Sequence, residues 1–215
     1  MTREWESYKD GKKWRITTSG VETEEGFPRS KGDPISMYTL YKDYGYAIDA
    51  AAERFDLPNY LIMAMLGIEA TRVRDDRSHF DARSLRLEPG YISDAKTPNK
   101  VSPGLMQTLI STAEWMNDKY DLYRTYEGDR EPLTREDLFI PSRSIMAGAA
   151  YLRHLTDRYE WEFPSLPLLC GAYNAGSIRY TDKNDYNILC YGPDRIDRAM
   201  AWYNDSLAVL GGICT

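Results

Sequence analysis

One glutamate in this chain stands out because it follows a long apolar run. Glu69 shares a predicted helix face with Met65 and Leu66. A carboxylate on an apolar face costs free energy unless it is paired or protonated. Burial raises the pKa of a carboxyl group, which suits a general acid near neutral pH. We predict that Glu69 is such an acid; the alternative is that Glu69 forms an ion pair with Arg72 or Arg74.

A second motif, GLMQ at Gly104–Gln107, carries groups that suit a polar ligand. Ser102 and Pro103 precede it and predict the N-cap and the first residue of a helix. A glycine at a helix start lets a ligand approach the backbone, and the Gln107 amide can both donate and accept hydrogen bonds. The alternative is an ordinary amphipathic helix start.

A third motif, GAYNAG at residues 171–176, surrounds Tyr173 and Asn174 with small residues. Small neighbours let a helix end pack closely and present this pair to a ligand. A tyrosine hydroxyl near a carboxylic acid can orient the acid. The alternative is a helix end capped by Gly176 with no chemical role.

The elements that position these motifs are predicted to be mainly helical. Residues at steps of three and four in one early segment predict a helix: Leu40, Tyr44, Ala47, Ile48, Ala51 and Phe55. Prolines predict later helix starts, at Pro58, Pro141, Pro164 or Pro167, and Pro193. Residues 72–101 are charged and rich in turn formers, which predicts a long loop that can hold a small hairpin. Residues 121–138 are also predicted to be a loop.

The N-terminal part has a different pattern. Residues 14–18 alternate between apolar and polar, and Ser19-Gly20 follows, which predicts a short hairpin. Glycines and prolines between residues 26 and 34 then predict a linker. We therefore predict an N-terminal β-like extension at residues 1–34 and a helical domain at residues 35–215.

Charge and hydropathy exclude several classes of function. The net charge is −6, which argues against nucleic-acid binding because that needs a basic face. The longest apolar run, Tyr60–Ile68, is too short to span a bilayer. No apolar stretch follows Met1–Glu6, so no signal peptide is visible. We expect synthesis in the cytoplasm and no membrane span.

The cysteines and histidines give no clear metal or peptidase motif. Cys170, Cys190 and Cys214 lack CxxC spacing, which disfavours metal or redox use, and the neighbours of Cys170 predict a core position. HExxH and GxSxG are absent from the sequence. A cysteine peptidase that pairs Cys170 with His154 is a weak alternative. We predict no metal and no cofactor.

The three motifs, taken in order, resemble the lysozyme-like family of soluble lytic transglycosylases, which are relatives of goose-type lysozymes. In that family a helix ends in Glu-Ser, and a GLMQ helix and an AYNAG helix follow. The matching segments here are Ile68–Ala70, Ser102–Gln107 and Gly171–Gly176. The resemblance covers about residues 40–205 and implies a mainly α, lysozyme-like fold. The serine that usually follows the glutamate is Ala70 in this chain.

The resemblance also implies roles for single residues. Glu69 is expected to be the acid and base, and Ser102 to contact the N-acetyl or peptide region of the substrate. Met106 and Gln107 are expected to line a glycan cleft. Tyr173 and Asn174 are expected to face the glutamate.

The function implied is cleavage of peptidoglycan glycan strands by a lytic transglycosylase. The C6 hydroxyl of muramic acid attacks its own anomeric carbon, so one glutamate suffices and a 1,6-anhydro end forms. A muramidase is the first alternative, and it needs a second acid. Acids of the loop, none distinguished by its neighbourhood, are Asp75, Asp76, Asp81, Glu88 and Asp94.

A non-catalytic wall-binding or virion structural module is the second alternative. Without a visible signal peptide, the protein is expected to reach the wall after lysis, on a phage particle, through a secretion apparatus or by another non-classical export route.

Overall fold

The computed structural model describes residues 3–31, 34–74, 77–192 and 194–213, with the backbone alone at residues 71–74, 77–79, 212 and 213. The helices within these ranges are α1 (Ile35–Phe55), α2 (Asn59–Ala70), α3 (Ile110–Tyr120), α4 (Arg135–Leu138), α5 (Pro141–Arg158), α6 (Leu166–Ala175) and α7 (Arg195–Ile213). The predicted mainly α fold is confirmed. None of the described helices combines the length and the apolar character that crossing a bilayer demands.

Proline marks several of these helix starts as predicted. Pro141 begins α5, and Pro167 lies in the first turn of α6. Proline suits these positions because its missing N–H would have no partner inside the helix. Pro193 lies outside the described residues. One prediction is wrong in detail, since the loop predicted at residues 121–138 contains the short helix α4.

The strands form three antiparallel pairs within the described ranges. They are β1 (Trp14–Thr17) with β2 (Gly20–Thr23), β3 (Thr71–Arg74) with β4 (Arg77–Phe80), and β5 (Leu85–Leu87) with β6 (Val101–Pro103). The first pair is the hairpin predicted near the N-terminus. The second is the small hairpin predicted in the long loop.

Helix α2 is the centre of the core. Every residue from Leu61 to Ile68 is buried, because both α1 and α7 pack on this apolar helix. At Gly67 the ring of Trp202 lies so close that a Cβ atom would collide with it. This close approach brings α7 against the last turn of α2, where Glu69 lies.

The N-terminal hairpin packs on the helical part of the chain. Asn204 of α7 accepts a hydrogen bond from the Val21 N–H (2.7 Å) and donates to the carbonyls of Val21 (2.9 Å) and Pro28 (2.8 Å). The buried indole of Trp14 donates to the Ser165 hydroxyl at 2.9 Å. The hairpin is therefore held by specific polar contacts as well as by apolar packing.

The predicted helix start at Ser102 and Pro103 is wrong. Both residues belong to β6, where Ser102 pairs with Arg86, and the helix begins only at Ile110. The chain turns sharply between these elements because Gly104 and Gln107 both have positive φ, +81° and +47°. A left-handed conformation at two of four residues is incompatible with a right-handed helix.

Candidate active site

A cleft of about 420 Å³ opens beside the end of α2. Its lining consists of Glu69, Arg86, Glu88, Asn99, Ser102, Gln107, Thr108, Leu109, Thr112, Tyr151, Tyr173, Asn174, Ala175, Gly176 and Tyr191. The structure thus brings together five of the six site residues named from the sequence. Met106 is the exception.

Glu69 forms an ion pair with Arg195, the first residue of α7. The two side chains are 9% and 7% exposed, so the pair is almost shielded from water. The predicted alternative, a pair with Arg72 or Arg74, concerns side chains outside the described part of the chain. The partner found here lies 126 positions away in sequence.

Arg195 is the main site residue that sequence reasoning missed. Burial lowers its pKa to about 10, and Arg198 contributes further, so Arg195 is still charged at neutral pH. Its Nε atom has no hydrogen-bond partner among the described residues. The sequence has one signal for this role. A cation at the start of a helix is unfavourable because it opposes the helix dipole, so an arginine at that position indicates a stabilising partner elsewhere.

The turn at Gly104–Gln107 is anchored on both sides. The Gly104 N–H donates to the Ser84 carbonyl at 2.8 Å, and the Met106 N–H donates to the Ser144 hydroxyl of α5 at 3.1 Å. The Gln107 amide Nε2 donates to the carbonyls of Gly104 (2.7 Å) and Ser84 (3.2 Å). These bonds fix the orientation of Gln107 at the cleft.

Met106 does not line the cleft. Its side chain is fully buried and packs against Gly148 of α5. Because the GLMQ residues form a turn and not a helix, the side chains of Met106 and Gln107 point to different sides. Met106 serves the site through its backbone, since its carbonyl accepts a hydrogen bond from the Tyr173 hydroxyl at 2.9 Å.

Tyr173 is a buried residue that lines the cleft and joins α6 to the GLMQ turn. Its hydroxyl lies 3.1 Å from the Thr108 hydroxyl, and its ring packs against Tyr151 with a centroid distance of 5.2 Å. Burial raises the pKa of Tyr173, so its hydroxyl is neutral and can donate. The resemblance predicts that Tyr173 faces Glu69. In the structure the Tyr173 hydroxyl binds the GLMQ turn instead, and Arg195 contacts Glu69.

Asn174 connects the end of α6 to the segment before α7. Its side-chain oxygen accepts a hydrogen bond from the Tyr191 N–H at 2.6 Å. Tyr191 is exposed and lines the cleft. Gly176 ends the helix in the left-handed conformation, as a glycine cap does.

A second cavity continues the cleft past Glu69. It has a volume of about 430 Å³, and it shares Glu69, Arg86 and Gln107 with the first cavity. Arg195 lines the second cavity but not the first. Glu69 therefore lies at the boundary that the two cavities share.

Glu88 is the second carboxylate in the cleft lining. Its side chain is 36% exposed and forms an ion pair with Arg86 at 2.9 Å. Among the other loop acids, Asp94 pairs with Arg135 and Asp81 accepts a hydrogen bond from the Arg83 N–H, and neither lines the two cavities. Asp75 and Asp76 lie outside the described residues. Glu88 is thus the described loop acid that geometry distinguishes.

Neither histidine adds a catalytic pair in the described part of the chain. His154 Nδ1 lies 2.8 Å from Lys119 Nζ, and burial together with Lys119 lowers the pKa of His154. Cys170 lies beside Cys190, so the geometry gives no support to a pair of Cys170 with His154. The side chain of His79 is not described. No group of three metal-binding side chains occurs among the described residues.

Comparisons with known proteins identify a family for most of the chain. The family described as "Transglycosylase SLT domain" matches residues 47–188, a range that contains Glu69 but not Arg195. No curated protein shows significant similarity. A solved structure of an inactive mutant of the lytic transglycosylase Slt from Pseudomonas aeruginosa is similar, with 17% sequence identity and a TM-score of 0.45. The similarity covers 79% of this chain and 23% of that one, so this chain spans under a quarter of that protein's length.

Proposed function

Because the chain belongs to the family of SLT transglycosylase domains, we propose that it cleaves the β-1,4 bond between N-acetylmuramic acid and N-acetylglucosamine in peptidoglycan. Glu69 is the acid and the base of this reaction. The observation that carries the proposal is the position of Glu69, a nearly buried carboxyl group at the meeting point of two cavities. A glycan strand can then lie across it with sugars on both sides.

The reaction needs one proton donor that later becomes a proton acceptor. Protonated Glu69 gives its proton to the glycosidic oxygen, and the N-acetylglucosamine side leaves as an alcohol. The Glu69 carboxylate then takes the proton of the C6 hydroxyl of muramic acid as that oxygen attacks the anomeric carbon. The product is a 1,6-anhydro ring, no water is consumed, and Glu69 regains its proton. Intramolecular attack makes a water-activating base unnecessary.

Arg195 acts through Glu69 as a positioning residue. A guanidinium stabilises the carboxylate that forms when the proton leaves, which strengthens the acid in the first step. The same charge reduces the protonated fraction of Glu69 at rest, so Arg195 also limits the pH range of activity. The ion pair fixes the carboxyl group at the boundary of the two cavities.

The cleft has groups that suit an uncharged sugar. Ser102, Gln107 and Asn174 supply hydroxyl and amide groups, which pair with sugar hydroxyl and N-acetyl groups. Tyr151 and Tyr191 add rings to the same lining. Aromatic rings can pack against the apolar faces of sugars while their hydroxyls remain available to water.

The test is digestion of purified peptidoglycan, with the products identified by mass spectrometry. We expect anhydro-muropeptides from the wild type and a loss of at least about 100-fold in rate for Glu69→Gln. Circular dichroism and binding to the same sacculi verify that the variant is folded. A Glu69→Gln variant as active as the wild type overturns the proposal. Binding without turnover by the wild type favours a wall-binding module.

A muramidase is a second candidate because Glu88 lines the cleft. In that reaction water attacks the sugar, and Glu88 activates the water or stabilises the intermediate. Reducing ends among the products, together with a loss of about 100-fold for Glu88→Gln, support it. The transglycosylase proposal expects anhydro ends and a Glu88→Gln rate within about threefold of the wild type, because Glu88 then exchanges no proton.

A further inference from the structure

Two buried cysteines lie side by side, and each is near in sequence to a residue that lines the cleft. The Sγ atoms of Cys170 in α6 and Cys190 in the segment before α7 are 3.9 Å apart. Cys170 is fully buried, and Cys190 is 9% exposed. Twenty positions separate the two residues in sequence, so their proximity is visible only in the folded chain.

We propose that Cys170 and Cys190 form a disulfide bond when the protein folds in an oxidising compartment. A disulfide has an S–S length of about 2.05 Å, so the sulfur atoms must approach by roughly 2 Å. Side-chain rotation and a small backbone shift can supply this movement. Peptidoglycan lies outside the cytoplasm. Disulfides persist in such oxidising surroundings. The oxidising location rests on the proposed function, whereas the bond itself depends only on the two thiols.

The oxidation needs an electron acceptor, and a small-molecule disulfide such as oxidised glutathione serves. The Cys190 thiolate attacks one glutathione sulfur, which gives a mixed disulfide and releases the first glutathione thiol. The Cys170 thiolate then attacks the Cys190 sulfur and displaces the second. The protein loses two protons and two electrons, and oxidised glutathione becomes two molecules of reduced glutathione.

Folding is the stage at which the bond forms most readily. The contact with Cys190 and burial raise the pKa of the Cys170 thiol in the folded state. A thiol that resists ionisation attacks a disulfide slowly. In the unfolded chain both thiols are exposed and ionise normally, so oxidation accompanies folding and native packing then encloses the bond.

The bond would connect two parts of the cleft wall covalently. Cys170 lies one turn before Asn174 on α6, and Cys190 precedes Tyr191. Asn174 and Tyr191 both line the cleft and are already joined by the hydrogen bond from the Tyr191 N–H. A disulfide therefore keeps this wall assembled under conditions that break the hydrogen bond.

The experiment uses a Cys214→Ala background, so that the third cysteine cannot exchange. The protein is refolded with oxidised and reduced glutathione or with dithiothreitol, and its intact mass, thiol count and Tm are measured. We expect oxidised protein that lacks the mass of two hydrogen atoms, has no titratable thiol after denaturation and maps to a Cys170–Cys190 peptide. The closed loop predicts a Tm that is higher by about 6–12 °C, a difference that dithiothreitol removes.

Cys190→Ala and Cys170→Ala in the same background are matched controls, and each is expected to show the same Tm in both buffers. Two titratable thiols in the oxidised sample, or glutathione adducts in place of the internal bond, overturn the proposal. These readouts do not involve glycan cleavage. A protein with the disulfide that cleaves no peptidoglycan contradicts the proposed function alone, and an active protein with free thiols contradicts the disulfide alone.

Discussion

Arg195 and Glu69 form a nearly buried ion pair, although 126 positions separate them in the chain. The contact depends on the packing of α7 against α2, where the Trp202 ring lies directly on Gly67. Removing one member of a buried pair leaves an uncompensated charge, so each residue constrains the other. The pair relates the chemistry of the site to the docking of the last helix.

Replacing Arg195 by methionine tests its influence on proton transfer. Without a neighbouring cation a carboxyl group keeps its proton to higher pH but donates it less readily. We therefore expect the alkaline limb of the pH–activity profile to move to higher pH. We also expect the maximal kcat to fall by about 10-fold. The measurement is the pH dependence of muropeptide release.

Arg198→Met is the matched control for this variant. Arg198 lies on the same helix, but its side chain is 45% exposed and pairs with Asp194. We expect its profile to follow that of the wild type closely. Equal shifts in both variants would mean that Arg195 acts through the net charge of α7 and not through Glu69.

Tyr173→Phe removes the hydroxyl that joins α6 to the GLMQ turn. The Met106 carbonyl loses its donor in a buried place, which predicts a loss of about 1–3 kcal/mol in the free energy of unfolding. Catalytic activity should fall less than in Glu69→Gln, because Tyr173 exchanges no proton. Urea denaturation and kcat measured on the same preparation check both parts. A loss of kcat equal to that of Glu69→Gln, with stability unchanged, would instead indicate a direct catalytic role.

Gly104→Ala should disrupt the turn that carries Gln107. Gly104 has a φ of +81°, and an added Cβ would collide with the Leu138 carbonyl. We expect a loss of about 2–4 kcal/mol in stability together with a loss of glycan binding. Gly128→Ala is a suitable control because its φ is +91° and no atom lies within 4 Å of the added Cβ. Gly128→Ala should lower the free energy of unfolding by about 1 kcal/mol. Similar losses of stability in both variants would mean that backbone strain alone matters at Gly104.

Asn204→Ala tests how the N-terminal hairpin is held. The side chain is fully buried and serves the backbone N–H and carbonyl of Val21 and the carbonyl of Pro28. Loss of these hydrogen bonds should lower the free energy of unfolding by about 2–4 kcal/mol. It should also make residues 3–31 more sensitive to limited proteolysis. Unchanged proteolysis would place the anchorage elsewhere, for instance at the bond from Trp14 to Ser165.

Most of the helices and the candidate acid could be proposed from the sequence because their signals are local. Apolar periodicity and helix-starting prolines identify α1, α5 and α6 directly from neighbouring residues. Glu69 is conspicuous for the same reason, since its apolar neighbours are on its own helix. The GLMQ motif is visible in the sequence, but the helix predicted to begin there is a turn in the structure. Ser102 and Pro103 suit a helix start, but the pairing of β6 with β5 outweighs that local preference.

Contacts between distant segments were decided by tertiary structure alone. The partner of Glu69, the burial of Met106 and the proximity of Cys170 to Cys190 each depend on how helices and loops pack. No periodicity encodes such contacts, because their energy comes from burial and pairing across more than one element. The sequence by itself determined where most of the helices form and singled out Glu69 as the candidate acid. The packing of α7 on α2 decided the electrostatic environment of Glu69, because it brings Arg195 to that carboxyl group.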